Sequence, residues 1–257
     1  MSLSPGLDTI QSSELLHNLA DVLFNHFVPR WSKRAKNEAD TQQGDNIERN
    51  IDDALVIFEK LQIGLDINVK FSACRDFEYT RELDIFDLFS VNLYHGWLID
   101  PQQEMFHNKF VNKSYNQLVE MIFLKNENKP GEDDNFLTGE LAENFLEQTA
   151  SQLTYFGLSE LHAEVKPNEL CVLFRNNHFS TMYKSPEDKK LYLLVTDQGY
   201  LRHSSVVWET LDNIEGDATL CDAVFRPVSA DSIEQGGKGA QCVTDLLEDV
   251  DESCKNE

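Results

Sequence analysis

At Pro167 the hydrophobic period of the chain changes, and that switch restricts the available folds more than any other feature of the sequence. Before it, apolar residues recur mostly at helical spacing; after it they come in short apolar or alternating runs. The runs Glu169–Arg175, His178–Tyr183 and Leu191–Thr196 read as strands. Upstream, Leu15, Leu16, Leu19, Val22, Leu23 and Phe27 mark a first helix, which Ser12 or Ser13 can cap and Pro29 stops. A second helix is predicted from about Asn46 to Gln62, with Gly64 as its C-cap and the polar loop Arg30–Asp45 before it. A short helix follows Thr80, and another is capped by Ser114. The longest opens at Thr138 and keeps Leu141, Phe145, Leu146, Thr149, Leu153 and Phe156 in register. Leu65–Phe71 alternates cleanly and reads as a half-buried strand. Helices first and an antiparallel sheet later give an α+β class.

With 41% hydrophobic residues in 257, the chain can build a sizeable core. Its formal net charge of −23 argues against nucleic acid and against an anionic membrane surface, both of which need Lys/Arg patches. Such an acidic surface keeps a protein soluble, and it also suits a partner with a basic face. The five cysteines (Cys74, Cys171, Cys221, Cys242 and Cys254) form no C-x-x-C pair, so neither a disulfide framework nor a metal site reads from them, and no cofactor is expected. The opening Met1-Ser-Leu-Ser-Pro5 lacks the basic and apolar regions of a signal peptide. A cytoplasmic or nuclear monomer with reduced thiols is expected. One domain over residues 1–225 and an acidic, disordered tail over 226–257 complete the organisation.

The chemistry-bearing passage is Leu170-Cys-Val-Leu-Phe-Arg-Asn-Asn-His-Phe-Ser-Thr-Met182, followed by Leu191-Tyr-Leu-Leu-Val-Thr-Asp-Gln-Gly199. If the last two strands pair about a loop centred near Glu187, His178 faces the region of Thr196, within a residue or two. A general-base histidine needs such a neighbour, because a hydrogen bond to one ring nitrogen fixes the tautomer and aims the other at the nucleophile. The plainer alternative is that His178 is a turn residue and that Asn176-Asn177 only make the corner.

Phe174–Met182 and Leu191–Gly199 together resemble the histidine motif of the MINDY deubiquitinases, papain-like cysteine proteases that trim ubiquitin chains with a preference for the lysine-48 linkage. The resemblance extends through Gly64–Phe71, Phe77–Thr80, Leu93–Gln102, Ser114–Val119, Leu153–Tyr155 and Val206–Glu209, and is colinear from Ser12 to Phe225. It implies a papain-like fold, His178 as general base and Thr196 as the residue that orients it. It also implies ubiquitin contacts by Asp66, Trp97, Tyr115 and Phe174. Aromatic side chains give rigid contact area against an apolar patch, and Asp66 can take a basic residue. Trp97 and Tyr115 are then expected to point outward into one recognition surface. Read without the family, Trp97 and Phe174 look like ordinary core aromatics.

The likeness has a gap. MINDY enzymes begin their domain with a glutamine and a Gly-Pro-Cys-Pro segment opening a helix, where the cysteine is the nucleophile and the glutamine helps hold the oxyanion. This sequence has no such segment, and the cysteine-bearing element is expected upstream of Met1. Cys171, inside an apolar strand, reads as a buried small hydrophobe. The ubiquitin-interacting helix that some members carry after the domain does not appear in residues 226–257. Alone, the chain is expected to be inactive; the alternative is a non-catalytic ubiquitin-binding module.

Overall fold

The computed structural model describes residues 11–27, 58, 60, 61, 64–127, 134–201 and 203–229. The predicted second helix and the loop before it lie almost wholly outside these residues, as does nearly all of the tail. Gly64 does close a turn, donating its N–H to Lys60 O at 2.8 Å with a φ of +133° that favours glycine.

Helix α1 covers Ser12–Val22 and runs into a π-helical turn, Leu23–Phe27. Neither serine caps it: Ser12 is already helical, and Gln11 precedes it without a side-chain cap bond. A 3-10 turn, Arg81–Leu83, leads into α2, Asp84–Leu88. Thr80 also makes no cap bond there and donates its hydroxyl to Asp66 O instead. Helix α3 spans Glu104–Phe110 and α4 Tyr115–Glu127. Ser114 does cap α4, reciprocally: Gln117 N–H donates to Ser114 Oγ, and Ser114 N–H donates to Gln117 Oε1.

The long helix expected from Thr138 to Phe156 is two helices, α5 over Asp134–Gln148 and α6 over Tyr155–Glu164. Three local events break it. The Thr149 hydroxyl bonds back to Phe145 O, Gln152 adopts a φ of 52°, and the Thr154 hydroxyl accepts Gly157 N–H as an N-cap. Helix α6 then sits directly on the stretch after β1, where a Cβ on Gly157 would lie 1.8 Å from Gly96 O. Only glycine permits that approach.

Among the described residues six strands form one sheet in the order β1-β2-β3-β4-β5-β6: Leu93–Tyr94, Leu170–Arg175, His178–Lys184, Leu191–Leu194, Trp208–Thr210 and Leu220–Cys221. The α+β class holds, but the sheet is mixed. Strand β1 runs parallel to β2, and the other four pairings are antiparallel. The parallel pair exists because helices α3–α6 supply the long crossover that such a connection requires. Leu65–Phe71 stays outside the sheet, held by isolated bridges from Val69 to Phe77 and from Lys70 to Ser114.

Strand β2 is packed on both faces. Cys171 and Leu173 join Met182, Leu191, Leu193 and the α6 residues Leu158 and Leu161 in one cluster. Val172 and Phe174 point the other way, toward Phe71, Leu93, Trp97 and Phe145. This alternation delivers Phe174 to one side of the sheet, while its neighbour Arg175 goes to the other. Among the described residues no helix is long and apolar enough to cross a membrane.

Candidate active site and recognition surface

His178 opens β3, immediately after a two-residue turn. Asn176 and Asn177 have φ values of 52° and 59°, both left-handed, which is the type I′ geometry that suits the twist of a tight hairpin. Asparagine tolerates that region better than most residues. Arg175 and His178 are the closing pair of the β2–β3 ladder. The imidazole is exposed, and among the described residues no side-chain hydrogen bond holds it.

The β3–β4 ladder pairs Lys184 with Leu191, Tyr183 with Tyr192 and Met182 with Leu193. Continued outward, that register sets Phe179 across from Thr196 and His178 across from Asp197. The strand itself ends at Leu194, and on this extension Thr196 falls one residue out of opposition to His178, so the register does not bring the two side chains onto one face. Both side chains are exposed at the same end of the sheet, and among the described residues no hydrogen bond joins them. Asp197 instead caps the 3-10 turn Gln198–Tyr200, accepting Gly199 N–H at 2.6 Å. Glu209 on β5, paired with Leu193 of β4, is partly buried; burial raises its carboxyl above the usual carboxylate range, opposed by the Arg175 charge.

Three of the four residues assigned to ubiquitin contact come together. Trp97, Tyr115 and Phe174 line one small hollow with Ile67, Gln152 and Asn177. Trp97 and Tyr115 pack with ring centroids 5.6 Å apart. Asp66 is exposed and precedes Ile67 in the chain, but it does not line the hollow. The expectation that Trp97 and Tyr115 both project outward needs correction. Trp97 is only 4% exposed, packed edge-on against Phe71 and donating its indole N–H to Thr149 Oγ1 at 2.7 Å. Phe174 is 6% exposed. Both are core residues whose ring edges form a wall, whereas Tyr115, 38% exposed, is the aromatic that reaches solvent.

Sequence reasoning missed Gln152 and Ile67 as members of this hollow. Nothing in the linear order of residues 67, 97, 115, 152 and 174 signals that they meet. Asn177 lines the hollow and precedes His178, so the hollow and the histidine hairpin are continuous.

None of the described cysteines faces His178. Cys74, Cys171 and Cys221 are buried, unpaired thiols. Burial pushes Cys74 and Cys171 up to about 12 and Cys221 upward as well. Cys171 shares the His178 side of the sheet but lies four residues back along β2 from Arg175, about 13 Å away at strand rise. Among the described residues no group of three or more His, Cys, Asp or Glu side chains is set to hold a metal.

The MINDY deubiquitinase family model matches residues 1–225. Ubiquitin carboxyl-terminal hydrolase MINDY-1 of Bos taurus is 47% identical over 227 residues, covering 88% of this chain and 46% of that protein. Its Homo sapiens counterpart is 46% identical over the same length and shares of coverage. Ubiquitin carboxyl-terminal hydrolase MINDY-2 of Mus musculus is 43% identical over 251 residues, 96% of this chain and 39% of that protein. The chain thus spans less than half the length of these relatives. With a histidine hairpin on a mixed sheet and this extent of identity, the chain belongs to the MINDY deubiquitinase family, whose members are papain-like cysteine proteases.

Proposed function

We propose that this chain is the histidine-bearing part of a thiol-dependent isopeptidase that trims lysine-48-linked polyubiquitin. In this reading His178 is the general base that takes the proton of a cysteine thiol, and Thr196 orients its ring. The hollow of Trp97, Tyr115 and Phe174 holds an apolar patch of ubiquitin, with the exposed Asp66 for a basic residue. The observation that carries the reading is the shared hollow: three recognition residues from separate segments converge on Asn177, the residue before His178. Cytoplasmic or nuclear surroundings, where thiols stay reduced, suit Cys74, Cys171 and Cys221.

The nucleophile is not Cys74, Cys171 or Cys221, because a protonated thiol in the core cannot attack an exposed isopeptide bond. The same observation favours a second reading, in which the chain binds ubiquitin without cutting it. In a protein that unites this chain with a Gly-Pro-Cys-Pro segment, His178→Ala separates the two. Turnover should fall by about 10²–10⁴-fold, the usual share of a general base, with diubiquitin affinity little changed. Near-normal rates would return His178 to a turn residue and leave the binding reading standing.

A further inference from the structure

The turn that presents His178 is held from outside the hairpin by side chains and carbonyls that take no part in the reaction proposed above. Asn176 N–H donates to Gln152 Oε1 at 2.9 Å. Across the ladder from His178, Arg175 donates from Nε to Ser151 O at 2.8 Å and from a terminal nitrogen to Ile214 O at 3.0 Å. The loop between α5 and α6 therefore clamps the hairpin tip twice, through adjacent residues.

The other end of that loop is tied to the hollow. The Thr149 hydroxyl accepts the Trp97 indole N–H, and Gln152 N–H donates to Thr149 O at 2.8 Å. Gln152 is a non-glycine residue at a φ of 52°, an uncommon conformation that persists only where the surroundings impose it. A type I′ Asn-Asn turn needs no outside support to close, and an amide at an exposed turn can be satisfied by water. The extra tie comes from a strained residue whose side chain also lines the hollow, next to Trp97, Tyr115 and Phe174. One side chain thus touches both the hollow and the backbone two residues before the histidine.

We propose that Gln152 is a positioning residue that couples occupation of the Trp97–Tyr115–Phe174 hollow to the placement of His178. The proposal rests on the ubiquitin reading above. A group seated in the hollow restricts the Gln152 side chain, and through the Asn176 amide it restricts the turn. With the hollow empty, the exposed imidazole is held by its backbone alone.

The test uses the 257-residue chain with labelled amides and histidine rings, alone and saturated with ubiquitin. In the wild type, the His178 ring signals should shift on saturation. In Gln152→Ala, exchange of the Asn176 amide should rise about five- to tenfold, as expected for loss of one hydrogen bond. Core amides should keep their protection, and at ubiquitin concentrations raised until this variant too is saturated, since Gln152 itself lines the hollow, the ring shift should disappear. Gln152→Glu keeps an accepting oxygen and should restore both protection and shift. The coupling is overturned if the ring shift survives in Gln152→Ala with ubiquitin bound, or if exchange rises equally throughout the core. Failure of ubiquitin to bind the wild type at all is a different pattern, which overturns the recognition reading and the coupling together.

Discussion

Trp97 and Tyr115 pack ring against ring at 5.6 Å, tilted by 41°, yet only Tyr115 has a face in solvent. They therefore answer different questions when truncated. Truncating Trp97 loses core contacts with Phe71 and Phe145 and removes the indole N–H that the Thr149 hydroxyl accepts. Trp97→Ala should cost about 3–5 kcal/mol and lower the melting temperature substantially. Tyr115→Ala should leave melting nearly unchanged. Equal losses in the two variants would put Tyr115 in the core as well.

Acidification should destabilise the chain through His95. This ring is fully buried; its Nδ1 accepts Trp97 N–H, which leaves Nε2–H to donate to Asp76 O. Burial pushes its pKa down to about 4 from an ordinary value of 6.5. The unfolded chain thus binds a proton that the folded chain refuses, so the contribution is complete above pH 6.5 and is lost as pH falls toward 4. Between pH 7 and pH 5 the urea midpoint should drop by an amount equivalent to about 2 kcal/mol. A midpoint independent of pH over that window would mean that the ring is charged in the fold.

The buried thiols should be chemically silent. Cys74, Cys171 and Cys221 in the folded chain should react with iodoacetamide at least about a hundredfold more slowly than in urea, because the thiolate is the reactive form and burial suppresses it. Incubated with polyubiquitin, the 257-residue chain should leave it intact, and a ubiquitin-based electrophile should not label these three residues. Turnover lost on mutating Cys74 or Cys171 would contradict the whole assignment.

What was legible in the sequence was local. The Asn176-Asn177 corner, the three strand runs after Pro167 and the Ser114 cap all follow from short-range chemistry, and the fold keeps them. Strand β1 was not legible, since Leu93–Ile99 is buried throughout and shows no alternation, and its partner Val172 is far away in sequence. The break between α5 and α6 was hidden because Leu153 and Phe156 happen to keep the helical period. What ends the helix is the Thr149 hydroxyl bond, the turn at Gln152 and the Thr154 cap. The resemblance grouped Trp97, Tyr115 and Phe174, but Ile67 and Gln152 could not be added to them, because they come from segments whose meeting depends on the completed fold.

Titration of the chain with lysine-48-linked diubiquitin, run beside Tyr115→Ala, measures the central claim most directly. The wild type should show saturable binding, and Tyr115→Ala should weaken it by about 2 kcal/mol, roughly thirtyfold, at an unchanged melting temperature. Absence of saturable binding by the wild type, or equal affinity in the two proteins, would contradict recognition of ubiquitin at the hollow beside His178.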